Sequence, residues 1–354
     1  MIFNQLYDDD LSTAAAELSS LFYNDQRFLI TGATGMIGSC LIELLSKISS
    51  INGIRLSILA SGRSRQRFEE RFAYIGQDSE IQFIEMDFTS ENLPNFSVDY
   101  IIHGAGNADP INFSKSPVDT MIANISGTKK LLDIGLKNKL KNFLYISSGE
   151  VYGQPDENVK DFIETFSGYL DYSSPRSCYP SAKRATEVLC QSYIAQYGLH
   201  CSIVRPCHIF GPTMTKDDSR AVSQFLRNAA WGKEIILKSD GLLERSHCYV
   251  VDAAKAILLV LMSGQIGQAY NISDSNYQMT IRDFAKDAAI AGNCSLIFQV
   301  PDILEGQGYS RVKRAVLDSN KIHDLGWYPG ISEDSKIKRT VDILKSRIRK
   351  SKAI

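Results

Sequence analysis

The sequence is short of the residues that several function classes require. It has five histidines, isolated from one another, and seven cysteines at 40, 178, 190, 201, 207, 248 and 294 with no C-x-x-C among them. No metal-ligand spacing results, so no metal site is expected. An odd set of scattered thiols fits the reduced state of a cytoplasmic protein better than a disulfide framework. Neither charge is in excess: Lys plus Arg total 39 and Asp plus Glu total 40, a net charge of −1. Binding to nucleic acid or to an anionic membrane surface needs a basic excess, so neither is an expected partner. No apolar run approaches the ~18 residues of a bilayer span, and the longest, Ala256 to Met262, has the length of a buried helix. The start carries three acids, Asp8, Asp9 and Asp10, and no basic stretch, so no signal peptide is expected there. What remains is ordinary globular material: 354 residues, 44% hydrophobic and 22% charged, enough for two domains or one large domain with a cap.

From residue 27 onward, short apolar runs alternate with longer segments of helical period, the pattern of βαβ units around a parallel sheet. Strands are expected near Arg27–Thr31, Arg55–Ala60, Ile81–Met86, Asp99–His103, Asn142–Ser147, Cys201–Arg205 and Ala269–Ile272. Most are apolar on successive residues, as strands covered on both faces should be. Helices fit Met36–Lys47, Val118–Lys137 and Ser181–Gln196. Residues 1–25 read as an amphipathic helical extension packed outside the domain, with Asp8 to Asp10 capping its helix. After Pro206 the pattern loosens into glycine-rich turns and shorter helices, where a substrate cap would sit.

The stretch Thr31-Gly32-Ala33-Thr34-Gly35-Met36-Ile37-Gly38 follows the strand Phe28-Leu29-Ile30 and opens a helix. That is the arrangement of a dinucleotide turn. Gly32 permits the tight bend, Gly35 lets the backbone approach a pyrophosphate, and Gly38 lets helix and strand pack closely. The pyrophosphate then meets the free N–H groups of the helix N-terminus. The second strand runs into Ser61-Gly62-Arg63-Ser64-Arg65, with no acid for a ribose 2′-hydroxyl. Arg63 or Arg65 would suit a 2′-phosphate, which favours NADP, with NAD the alternative; equally, both arginines would suit a solvated helix start. Asp87 is placed for the adenine edge, and Gly104-Ala105-Gly106 would line the cofactor where side chains do not fit.

Tyr179-Pro180-Ser181-Ala182-Lys183 opens a helical segment, and Ser147-Ser148-Gly149-Glu150-Val151-Tyr152-Gly153 follows a buried strand. Tyr179 and Lys183, four apart, share a helix face. The lysine charge and an oxidised nicotinamide would lower the phenol pKa from ~10, so that Tyr179 takes a hydroxyl proton while hydride leaves the same carbon, with Ser148 bonded to that oxygen. Cys178 has no histidine placed to activate it and is not a nucleophile. His103, at a strand end, reads as a satisfied buried histidine.

Together TGATGMIG, SSGEVYG and YPSAK resemble the extended short-chain dehydrogenase/reductase family, in its NAD-dependent nucleotide-sugar epimerase/dehydratase branch. The resemblance runs from Arg27 to Tyr328 and takes in Arg205-Pro206, Gly211-Pro212, Glu244 to Asp252, and Leu325-Gly326-Trp327. It implies a Rossmann-like, doubly wound parallel α/β sheet in residues 26–205. A smaller, mainly substrate-binding domain would fill 206–354, with a strand near 269–272 returning to the first sheet. It implies a bound NAD(P), held also by Thr34, Met36, Ile37, Phe88 and Asn124, and a nucleoside diphosphate sugar transiently oxidised at C4. It implies a homodimer too, joined through the Val118–Lys137 and Tyr179–Lys183 helices.

Three outcomes follow C4 oxidation in this branch: 4-epimerisation, 4,6-dehydration and loss of a C6 carboxylate as CO2. Dehydratases carry Asp-Glu where this chain has Gly149-Glu150, so the acid is missing and the base retained. Decarboxylases share the glutamate, an Arg-x-Cys-Tyr run (Arg176-Ser177-Cys178-Tyr179) and a Gly-Pro-x-Met loop (Gly211-Pro212-Thr213-Met214) leading to Asp218-Ser219-Arg220. They have serine at 149, and His208 stands where an asparagine usually touches the diphosphate. The resemblance places Arg220, Arg245 and Arg314 around the substrate, the last two as bidentate oxyanion clamps. A UDP-glucuronate decarboxylase-like lyase is therefore the first expectation and a 4-epimerase the second. A catalytically silent NAD(P)-binding protein is the reading from another class, opposed by the intact Ser148, Tyr179 and Lys183.

Overall fold

The computed structural model describes residues 4–74, 80–88, 90, 93–106, 115–156, 159–299, 312–330 and 335–351. Seven strands form its main sheet: β1 (Gln26–Thr31), β2 (Leu56–Gly62), β3 (Ile81–Glu85), β4 (Tyr100–His103), β5 (Asn142–Ile146), β6 (Cys201–Pro206) and, far along the chain, β10 (Ala269–Ile272). The order is β10-β6-β5-β4-β1-β2-β3, and every neighbouring pair is parallel. This is the doubly wound Rossmann-like arrangement, and the order reverses between β1 and β4, where such sheets open a ligand crevice.

Alternate residues of the central strands divide two cores. Phe28, Ile30, Ile102, Leu144 and Val204 face helices α2 (Met36–Asn52) and α7 (Val250–Ser263). Leu29, Ile101, Phe143, Tyr145 and Ile203 face α4 (Pro117–Asn138) and α5 (Cys178–Tyr197). Burial on both faces is why β4 and β5 are buried at every residue. The short α3 (Arg65–Phe72) follows β2.

The N-terminal segment is helical, and its capping differs from expectation. Helix α1 (Gln5–Leu18) buries Tyr7, Leu11, Ala14, Ala15 and Leu18, one stripe of helical spacing, against α2 and α7. Its cap is Asn4, whose Oδ1 accepts from the Tyr7 N–H at 3.1 Å, and not the acids read as caps. The acids reach outward instead. Asp8 pairs with Lys47 of α2 at 2.5 Å, while Asp10 accepts from the Tyr249 hydroxyl and from Arg339, both at 2.8 Å. Side chains inside the first two turns are beyond the cap position and free to bind other elements, so α1 ties the two halves of the chain together.

The later half adds β7 (His208–Phe210), α6 (Ala221–Ala230), β8 (Ile235–Leu237), β9 (Glu244–Tyr249), β11 (Asp274–Thr280), α8 (Ile281–Gly292), β12 (Leu296–Phe298), β13 (Arg314–Ala315), α9 (Asn320–His323) and α10 (Lys336–Ser351). β9 is the hub of a second, mixed sheet, antiparallel to β11 and parallel to β7 and β13. Beneath it a buried ion cluster joins three elements, with Lys336 Nζ 2.5 Å from Asp252 and 3.3 Å from Asp274.

All seven cysteines are free. Among the described residues no group of acids, histidines and cysteines is gathered as a metal site, and no helix is long and apolar enough to cross a membrane.

Candidate active site

The dinucleotide turn sits at the β1–β4 reversal. Gly32 takes φ +72°, and a β-carbon there would come within 2.9 Å of the Gly104 carbonyl oxygen. At Gly38 it would lie 2.2 Å from the Gly32 oxygen. Both contacts are main chain to main chain, so nothing larger than glycine fits without moving α2 off β1. Gly35 is the N-cap of α2 and supplies no capping side chain, leaving the first-turn N–H groups around Met36 and Ile37 for an anion. Across the crevice Gly106 lies against Asn124 Oδ1, where a β-carbon would stand 2.9 Å away. Asn124 is buried and fixed by donating to the Thr120 carbonyl at 2.7 Å. Phe88 packs edge-on to His103 and against Gly127, while Asp87 is exposed beyond β3. This cradle could hold an NAD(P) pyrophosphate and ribose, with Gly32, Thr34, Gly35, Met36, Ile37, Gly38 and Gly104 to Gly106 along the turn and the β4 end that would form its wall. Arg65 lies over the Phe83 ring at 5.2 Å, whereas Arg63 is exposed at the end of β2. His103 is the satisfied histidine expected, bonded to Thr31 and Thr128 at 2.8 and 3.0 Å.

Tyr179 enters from the first turn of α5 and is 6% exposed. Lys183, one turn on, is equally buried and donates to the Ile146 carbonyl at 2.9 Å; its Nζ stands 5.7 Å from the Tyr179 ring centre. Burial pushes the Lys183 pKa down to about 8. The Tyr179 phenol is shifted upward in the protein alone, without the nicotinamide charge. Burial and then the Glu150 charge raise its pKa, against the hydrogen bond from Ser148 and the charges of Arg220 and Arg176. In the protein alone desolvation therefore outweighs the cations.

Ser148 and Glu150 come from the 3-10 turn Gly149–Tyr152 that ends β5, where Ser148 Oγ caps the Glu150 N–H at 3.2 Å. Gly149 packs so closely that a β-carbon would lie 3.3 Å from Leu317. Glu150 meets Arg176 in a two-bonded fork, 3.0 and 3.2 Å.

β9 turns Arg245 and His247 to the face that also receives His208 from β7. Arg245 is 4% exposed, donates to the carbonyls of Glu244 and Lys313, and makes no ion pair among the described residues. Burial pushes its pKa down to about 10, and the Glu150 charge opposes that shift. An arginine buried without a carboxylate beside it is costly unless an anion completes it. His208 is exposed, its ring 5.7 Å from the buried His247. Arg220 is forked to Asp218 at 3.0 and 2.7 Å and also reaches Met36 Sδ, linking this side to the cofactor helix.

Arg314 is not brought to this group. It pairs in register with Glu244, whose side chain leaves β9 on the face opposite Arg245, and its guanidinium binds Asp161 at 2.6 Å as well as Glu244. A residue that sequence reading did not pick out is Arg184, which donates to the carbonyls of Val151, Tyr152 and Gly168 and so fixes the Glu150 turn. Nothing in its position beside Lys183 signals this.

A parallel sheet with a glycine cradle at its reversal and a buried tyrosine–lysine pair beside it defines an NAD-binding enzyme of the extended short-chain dehydrogenase/reductase type. The chain belongs to the NAD dependent epimerase/dehydratase family, which it matches over residues 28–273. It is 32% identical over 250 residues to UDP-glucuronic acid decarboxylase 6 of Arabidopsis thaliana, covering 70% of each chain. With UDP-glucuronic acid decarboxylase 1 of Danio rerio it is 28% identical over 319 residues, 89% of this chain and 72% of the other. Its fold is that of UDP-glucuronic acid 4-epimerase from Bacillus cereus, solved with UDP-glucuronic acid and NAD. That match has a TM-score of 0.74 and 22% identity, over 91% of this chain and all of the other.

Proposed function

We propose that this protein is a UDP-glucuronate decarboxylase-like lyase. Supporting the reading is the juxtaposition of Glu150, Tyr179 and Arg245, which is buried and without an ion pair among the described residues, in one electrostatic neighbourhood. A 4-epimerase needs the tyrosine but no carboxylate beside it. Bound NAD(P), held by the glycine cradle with Asn124, Phe88 and Asp87, supplies hydride acceptance from sugar C4 and its later return. Arg245, His208 and Arg220 hold the oxyanions of the nucleoside diphosphate sugar. Tyr179 takes the O4 proton, with Ser148 bonded to the same oxygen, and the resulting 4-ketone makes the bond from C5 to the carboxylate labile. CO2 leaves, its bonding electrons pass into the C4–C5 enolate, and Glu150 governs the proton that C5 then gains, leaving a UDP-pentose after hydride return. The enzyme acts as a homodimer through α4 and α5, on which Val118, Ile122 and Val188 are 70%, 55% and 64% exposed.

Mass spectrometry of the protein incubated with UDP-glucuronate and NAD or NADP tests this. Loss of CO2, abolished in Glu150→Gln, is the expected result. An isomer of unchanged mass would make the chain a 4-epimerase, and no change with any nucleotide sugar would favour a silent binder.

A further inference from the structure

We infer that Arg176 is a positioning residue that fixes the Glu150 carboxylate relative to Tyr179; the inference rests on the roles proposed above for those two residues. Arg176 lies in the 3-10 turn Pro175–Ser177 that leads directly into α5, three residues before Tyr179. Its two guanidinium nitrogens meet the two Glu150 oxygens at 3.0 and 3.2 Å, a fork that sets direction as well as distance. Glu150 sits on the turn that Arg184 clamps from the same helix. The pair therefore cross-links the two backbone turns that carry the reacting groups, and either turn moving alone would break it.

The fork also sets the field at the phenol. Facing Tyr179 are Ser148 and Glu150 from the turn after β5, Tyr145 from β5 itself, Lys183 and Arg176 from its own helix and the turn before it, and Arg220 from the start of α6. Burial and then the Glu150 charge hold the proton on the phenol, and Arg220 and Arg176 oppose them. Without Arg176 the carboxylate is free to turn toward Arg245, whose guanidinium already feels its charge, and its field at Tyr179 goes uncompensated.

The test follows C4 oxidation across pH in the full-length, NAD-loaded protein, with UDP-glucuronate, UDP-glucose and dTDP-glucose. Arg176→Gln is expected to lower kcat ~10- to 100-fold with little change in KM. The same substitution should move the acid limb of the kcat profile up by about one pH unit. Arg176→Lys should return the limb, having the charge, but only part of kcat, lacking the fork. In Glu150→Gln with Arg176→Gln, read from the rate of nicotinamide reduction because this variant is not expected to turn over, the limb should return to its wild-type place, the neutral amide having no field to oppose. A limb unmoved in Arg176→Gln, or still displaced in the double variant, overturns the inference while leaving wild-type turnover, and the proposed function, standing. A wild-type protein that oxidises none of the three sugars overturns both.

Discussion

Acidification to pH 5 is expected to remove about 4 kcal/mol from the stability of the fold through two histidines alone. His103, 2% exposed, spends both ring nitrogens on Thr31 and Thr128, and burial pushes its pKa down to about 3. His247 is fully buried against Phe284, ring centres 4.8 Å apart, with Nδ1 on the Tyr277 carbonyl and Nε2 without a partner among the described residues. Burial pushes its pKa down to about 4. Both stay neutral at pH 5, where an imidazole of the unfolded chain, pKa ~6.5, is protonated. The unfolded state then holds more protons, so stability falls as pH falls from about 6.5 toward the folded values. Each histidine accounts for about 2 kcal/mol at pH 5, whatever its folded pKa, provided that lies lower still. Urea denaturation at pH 7, 6 and 5, followed by tryptophan fluorescence, measures the loss; Trp327 reports from the same core as Phe284, against which His247 packs. His247→Phe keeps a ring against Phe284 and should reduce the loss between pH 7 and pH 5 by about 2 kcal/mol. A wild-type change under about 1 kcal/mol, or an undiminished slope in His247→Phe, would refute the reasoning.

Gly32→Ala, strained at φ +72° and pressed on the Gly104 carbonyl, should cost about 1–3 kcal/mol and abolish NAD binding in a calorimetric titration. Lys336→Met leaves Asp252 and Asp274 buried without their cation, and should lower stability by about 3–5 kcal/mol in the same urea assay. Arg63→Ala should weaken NADP ~10-fold and leave NAD unchanged if Arg63 meets the 2′-phosphate; equal effects on both cofactors would assign it to the solvated start of α3.

The main sheet was legible because parallel strands buried on both faces write continuous apolar runs, and its edges differed from expectation by a residue or two: Ile81–Glu85 against Ile81–Met86, Tyr100–His103 against Asp99–His103. The cradle was legible because its glycines are demanded by backbone contacts, whatever the ligand. The second sheet was not. β13 has two residues and β7 three, too few to show a period, and they meet on β9 from opposite directions of the chain. With that sheet went the side on which Arg314 falls, since one residue of register sends a side chain to the other face. The Arg176–Glu150 fork was hidden for a similar reason: its partners are 26 residues apart on separate turns. Tyr179 was found by its spacing to Lys183, but its raised pKa comes from burial and a carboxylate that spacing does not place beside it.

The central claim is that Tyr179 takes the proton that permits hydride loss from sugar C4. Single-turnover mixing of the NAD-loaded enzyme with UDP-glucuronate, followed by absorbance of the reduced nicotinamide, tests it directly in wild type and Tyr179→Phe. A transient rise is expected in wild type, and in the variant none, with NAD still bound. A rise of the same rate in Tyr179→Phe would contradict it.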